Sequence, residues 1–96
     1  MNYRLTPTAV ADITAIADYI NERNPSAAVE LVSSFIRRFE LLARYPYSGA
    51  GRDDILPNIR HLMLGTYIAF YRVEDGGAVI VRVLHGRQDI SEQDVS

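Results

Sequence analysis

The stretch from Asn58 to Ile90, NIRHLMLGTYIAFYRVEDGGAVIVRVLHGRQDI, constrains the fold more than any other part of the chain. Runs rich in Ile, Val, Tyr and Phe are separated by Gly65-Thr66 and by Asp75-Gly76-Gly77. They read as three antiparallel strands in two hairpins. Both faces of that sheet are largely apolar. A chain of 96 residues covers one face with its own helices. The other face must stay wet, hold a substrate or meet a partner.

The first half supplies the helices. Asn2 to Leu5 reads as a short strand. Thr6-Pro7 then places an N-cap before a proline at the first helical position. Val10, Ile13, Ala17 and Ile20 follow at helical spacing. Asn24-Pro25 repeats the start signal and ends the first helix, because the residue before a proline is pushed out of the helical region. Ala28, Leu31, Val32, Phe35, Phe39 and Leu42 make a second stripe, closed by Tyr45-Pro46. So short a link requires an antiparallel helical hairpin. Tyr47 to Pro57 reads as a loop, and Arg87 to Ser96 as a polar tail. The predicted fold is α+β, a single domain over 1–96: a strand, a two-helix hairpin and a three-stranded antiparallel meander.

Turn placement predicts which side chains share a face. A Gly65-Thr66 turn of type II′ pairs Leu64 with Tyr67, Leu62 with Ala69 and Arg60 with Tyr71. One face then holds Arg60, Leu62, Leu64, Tyr67, Ala69, Tyr71, Val73, Ile80, Arg82 and Leu84, beneath the helices. The other holds Ile59, His61, Met63, Ile68, Phe70, Arg72, Val79, Val81, Val83 and His85. A β-bulge reverses this parity beyond its position. The second face is expected to be an exposed binding surface, ahead of the alternative that the loop or tail folds over it.

Composition narrows the function. No apolar run approaches the ~20 residues that span a bilayer, and no signal peptide opens the chain. The absence of cysteine excludes disulfides and thiolate metal sites. These features predict a cytoplasmic protein with no metal, cofactor or membrane partner. The net charge is -2 and the 10 basic residues, all arginine, are scattered. Broad nucleic-acid binding needs a clustered positive face. Gly49-Ala50-Gly51 lacks the setting of a phosphate loop, and Asp53-Asp54 reads as a solvated turn.

The element order, the NP between the helices, ARYPYSG after the second, R-x-L-x-x-G-x-Y-x-x-F-Y-R-V and the closing RVLHGRQDI together resemble the ParE/RelE toxin superfamily, nearest its ParE, or plasmid-stabilisation, branch. The resemblance spans essentially the whole chain. It implies a type II toxin neutralised by a ParD-type antitoxin, with DNA touched only through that antitoxin. ParE-like relatives poison DNA gyrase; RelE-like relatives cut mRNA on the ribosome.

RNA cleavage needs a base, an acid and cations around the phosphate. Aligned on Tyr67, the strand positions that carry lysines in RelE-like nucleases fall on Ile59 and His61. The arginine after the anchor tyrosine falls on Ile68, and the tail arginine near Arg87 or Gln88. His61, His85 and Arg87 are the catalytic candidates that remain. The face parity puts both histidines on one side, about 10 Å apart across the sheet. Ile59, His61, Met63, Ile68, Phe70 and Arg72, with the outer grooves of the helix pair, are expected to meet the antitoxin. Arg60, Tyr71 and Arg82 are expected to form a structural polar cluster, with Asp12 or Asp53 as carboxylate partners. The reading is a gyrase inhibitor acting by protein contact; the alternatives are a ribosome-dependent endonuclease and a non-toxic interaction module.

Overall fold

Capping residues set both long helices of the computed structural model, which describes residues 2–96. After β1 (Tyr3–Leu5), Thr6 caps α1 (Pro7–Asn21), its hydroxyl accepting from the Ala9 amide at 3.1 Å. Asn24 does the same for α2 (Pro25–Arg44), accepting from the Ala27 amide at 3.2 Å. These bonds satisfy donors that a helix start leaves orphaned. The remaining elements are β2 (Ala50–Gly51), β3 (Arg60–Leu64), β4 (Tyr67–Glu74), β5 (Gly77–His85) and a one-turn α3 (Glu92–Val95).

The strands form a 5-stranded sheet in the order β1-β5-β4-β3-β2. The antiparallel meander is as expected, and it gains a strand at each edge. β1 pairs parallel with β5, and β2 pairs antiparallel with β3. The loop from Tyr47 to Pro57 thus contains a short strand, because Ala50 and Gly51 find ladder partners in His61 and Arg60.

Both hairpin turns follow their residues. Leu64 pairs Tyr67, Leu62 pairs Ala69 and Arg60 pairs Tyr71, as expected. Gly65 alone in that turn has positive φ, at 68°, which suits type II′. In the second turn Asp75 and Gly76 both have positive φ, and Glu74 pairs Gly77. That is the two-residue type I′ geometry.

One residue changes the faces. Phe70 pairs Arg82 while Tyr71 pairs Ile80, so Val81 is an extra residue on β5. Its carbonyl accepts from the Thr6 hydroxyl at 2.8 Å. Beyond this bulge the parity of β5 reverses. Val83 joins the helix side and Leu84 the outer side, opposite to the parity expectation. Arg82 and His85 change sides for the same reason.

The helix side of the sheet packs Ala69, Tyr71, Ile80 and Val83 against Ala9, Phe35, Phe39 and Leu42. Burying each large apolar side chain stabilises by about 1.5–3 kcal/mol. The outer side holds Ile59, Ile68, Phe70, Val81 and Leu84. It is covered, not exposed: Ile55 and Leu56 of the loop and Ile90 and Val95 of the tail pack on it, and Val95 is buried. The tail is polar by composition, yet its two apolar residues fall where the sheet is bare. Ser91 and Asp94 form the turn that brings Val95 down, the Ser91 amide donating to Asp94 Oδ2 at 2.9 Å.

Candidate functional site

The catalytic candidates do not come together. His61, on β3, lies on the outer side, its ring 6.3 Å from that of Phe70. His85, past the bulge, lies on the helix side, 5.5 Å from the Tyr67 ring. Tyr67 in turn packs on Phe35 of α2. The sheet therefore separates the two imidazoles, and one phosphate cannot lie between them. This corrects the shared face expected from parity, and the bulge at Val81 is the cause. Arg87 is exposed beyond the end of β5, and its amide donates to His85 Nδ1 at 3.2 Å.

His61 has a partner that the sequence reading missed. Arg52 Nη1 lies 3.3 Å from His61 Nδ1. The same guanidinium grips Asp54 in two hydrogen bonds of 3.0 Å. An arginine has no acceptor, so this contact keeps Nδ1 as the acceptor of a neutral ring. Partial burial pushes the His61 pKa below its ordinary value, and Arg52 adds to this. Asp54 opposes it more weakly. Arg52 itself holds the Asp54 carboxyl below the usual carboxylate range.

The residues expected to meet a partner divide in two. Ile59, Ile68 and Phe70 are buried beneath the loop and tail, so they present no surface while α3 is seated. Met63 is exposed, and His61 and Arg72 are half-buried at the rim. Arg72 forms an ion pair with Glu74, which Arg4 also approaches at 3.4 Å.

The polar cluster also divides. Arg82 does pair with Asp12 of α1, at 2.7 Å and 3.0 Å, reaching round the open edge of β5. It also donates to the Asp94 carbonyl at 2.9 Å, tying α1 to α3. Asp12 further accepts from the Val83 amide at 3.0 Å, replacing the ladder partner that β1 is too short to supply. Arg60 finds no carboxylate. Its Nη2 donates to the carbonyls of Tyr47 and Gly49, at 3.1 Å and 2.6 Å. The Tyr71 hydroxyl donates to the Pro46 carbonyl at 2.7 Å and accepts from the Gly49 amide at 3.0 Å. Arg60 and Tyr71 together fasten the turn that follows α2.

Two apolar surfaces stay open on the helical hairpin. Ala17, Ala28, Val29 and Val32 line a groove of about 370 Å³ between α1 and α2. Leu41, with Arg37, Glu40 and Arg44, lines a second cleft near the end of α2. Among the described residues no group of three or more His, Asp or Glu side chains gathers as for a metal ion. No described helix is long and apolar enough to cross a membrane.

Known proteins resemble this chain in sequence and in fold. Toxin RelE2 of Caulobacter vibrioides is 35% identical over 77 residues, covering 80% of this chain and 85% of that protein. A solved structure described as a chromosomal ParDE TA system from P. aeruginosa superposes with a TM-score of 0.76 at 28% identity, over 88% of this chain and 95% of that one. Residues 3–90 match the family described as ParE toxin of type II toxin-antitoxin system, parDE, and with a match of that extent the chain belongs to the ParE toxin family.

Proposed function

We propose that this type II toxin inhibits DNA gyrase through protein contact and is neutralised by a ParD-type antitoxin. One observation carries the choice of protein contact over RNA cleavage. The outer side of the sheet, where related nucleases keep their cations, is filled by Ile59, Ile68 and Phe70 under Val95. The histidines left over lie on opposite sides of the sheet. A purified chain that leaves supercoiling and gyrase-dependent DNA cleavage unchanged would sink the gyrase reading.

The antitoxin is assigned to the groove between α1 and α2. Its wall is apolar along Ala17, Val29 and Val32, and Asp18, Asn21 and Ser33 give it a polar rim. An amphipathic segment fits such a groove, with apolar anchors recurring along one face. Of the six residues first expected in this interface, Met63, His61 and Arg72 keep surface to offer. Val29→Asp is therefore the informative substitution, whereas Phe70→Asp tests the core. Val29→Asp is expected to weaken antitoxin binding at least about tenfold, as for an anchor position. Unchanged affinity would remove the groove from the interface.

The mRNA-cleaving alternative draws its support from the name of the Caulobacter relative, Toxin RelE2. Primer extension on translated mRNA, with His61→Ala as control, separates it from gyrase inhibition. Expression without growth arrest would favour the non-toxic module instead.

A further inference from the structure

We infer that the turn after α2, together with the last two turns of that helix, is the surface that grips the toxin's target, and that the target meets it with a carboxylate-bearing protein surface. The inference rests on the reading that this chain acts by protein contact.

Exposure is the first observation. Tyr45 and Tyr47 flank Pro46, and they are 60% and 70% exposed. Leu41, one turn earlier on α2, is exposed as well. Large apolar and aromatic side chains left open on adjacent positions mark interaction surfaces.

Rigidity is the second, independent of exposure. The turn closes on itself through the Ser48 amide and the Tyr45 carbonyl, at 3.0 Å. Four further hydrogen bonds from the sheet hold its backbone at Pro46, Tyr47 and Gly49. Gly49 sits so close that a Cβ would lie 2.5 Å from the His61 carbonyl oxygen and from the Tyr71 hydroxyl. Fixing the backbone in advance lowers the ordering cost when the tyrosines dock.

Charge is the third. Arg37 and Arg44 line a cleft of about 510 Å³ with Glu40 and Leu41. The Arg60 guanidinium lies 5.3 Å from the Tyr47 ring centroid. Among the described residues, none of these three arginines has a carboxylate within 4.0 Å. Glu40 lines the same cleft, and Asp53 lines the pocket with Arg60 and Tyr47. Tyrosine and arginine around an apolar centre are the side chains that dominate protein interfaces. A nucleic acid is the poorer occupant, because exposed Leu41 gains nothing from a phosphate backbone. The patch lies at the other end of α2 from Val29, so target and antitoxin take different surfaces.

The test uses the full chain with Tyr47→Ala and Arg44→Glu, read by growth arrest on expression and by binding to purified gyrase. Each substitution is expected to abolish arrest and to weaken gyrase binding at least about tenfold. Antitoxin affinity and thermal midpoint are expected to hold, and Tyr47→Phe to keep toxicity. Wild-type arrest that survives both substitutions overturns the inference. Affinity for duplex DNA or single-stranded RNA lost in Arg44→Glu, with a steep salt dependence, also overturns it, in favour of a nucleic acid. If the wild-type chain arrests growth without binding gyrase, the gyrase reading fails, and the loss of arrest in the variants still decides the patch. If the wild-type chain causes no arrest, both fail.

Discussion

Tyr71 and Phe70 are neighbours on β4, both fully buried, and they face opposite ways. Above Tyr71 lie α1 and α2, of 15 and 20 residues, capped and packed across Phe35 and Phe39. Above Phe70 lie Ile55, Leu56, Ile90 and Val95, carried by a loop and a helix of 4 residues. Both faces of the sheet hold a buried cluster, and their covers differ. A helix of 4 residues has no cooperative stability of its own. The tail cover is held by Val95, Ile90 and the Arg82 bond to the Asp94 carbonyl. Regions with so few anchors open locally at a fraction of the global free energy.

The comparison breaks first at its strong side. Phe39→Ala is expected to cost about 3–5 kcal/mol, the range for a large aromatic removed from a packed core. Chemical denaturation should show this as one cooperative shift. Next comes Asp12, which serves both regions through Arg82 and the Val83 amide. Asp12→Ala leaves the mostly buried Arg82 guanidinium with the Asp94 carbonyl but no carboxylate, and the Val83 amide without its acceptor, and is expected to cost about 2–3 kcal/mol. Hydrogen exchange should rise both at Val83 and in the tail. A rise confined to one of them would mean that Arg82 does not couple the two covers.

At the weak side, Val95→Ala removes roughly two methylene groups and is expected to cost about 1–2 kcal/mol. Its signature is local: faster exchange at Ile68 and Phe70, with the α1 and α2 amides unchanged. A loss as large as that of Phe39→Ala, spread over the whole chain, would show that the two covers unfold as one unit.

The same contrast explains what was legible in the sequence. Thr6-Pro7 and Asn24-Pro25 announce α1 and α2 because capping is a local event, decided by the residues themselves. Gly65-Thr66 announces the first register for the same reason. The bulge leaves no such mark. Val81 and Arg82 suit a regular strand equally well, and the extra residue is accommodated by Thr6 and Asp12, some 70 positions away. One unannounced residue was enough to part His61 from His85. The tail cover did leave a trace, the Ser91-x-x-Asp94 pattern between Ile90 and Val95, but its polar composition outweighed two apolar positions. The exposed tyrosines lay inside the ARYPYSG segment, where their pattern reads as a loop until Tyr71 and Arg60 are seen holding it.

The smallest expected effect is a dependence on pH at the rim of the weaker face. His61 touches Phe70 on one side and Arg52 on the other, with Asp54 beyond. Burial, and then Arg52, lower its pKa from the ordinary 6.5. The unfolded chain therefore takes up the proton first as pH falls. The stability tied to neutral His61 is fully present above the ordinary value and is lost as pH drops through it toward the lower folded pKa. Thermal midpoints measured from about pH 7 to about pH 5 should fall more steeply in the wild type than in His61→Gln. Exchange at Phe70 should rise over the same range, while amides of Phe35 and Phe39 hold. Parallel slopes in the two proteins would mean that His61 stays solvated and that the rim of the outer face carries no titrating contact.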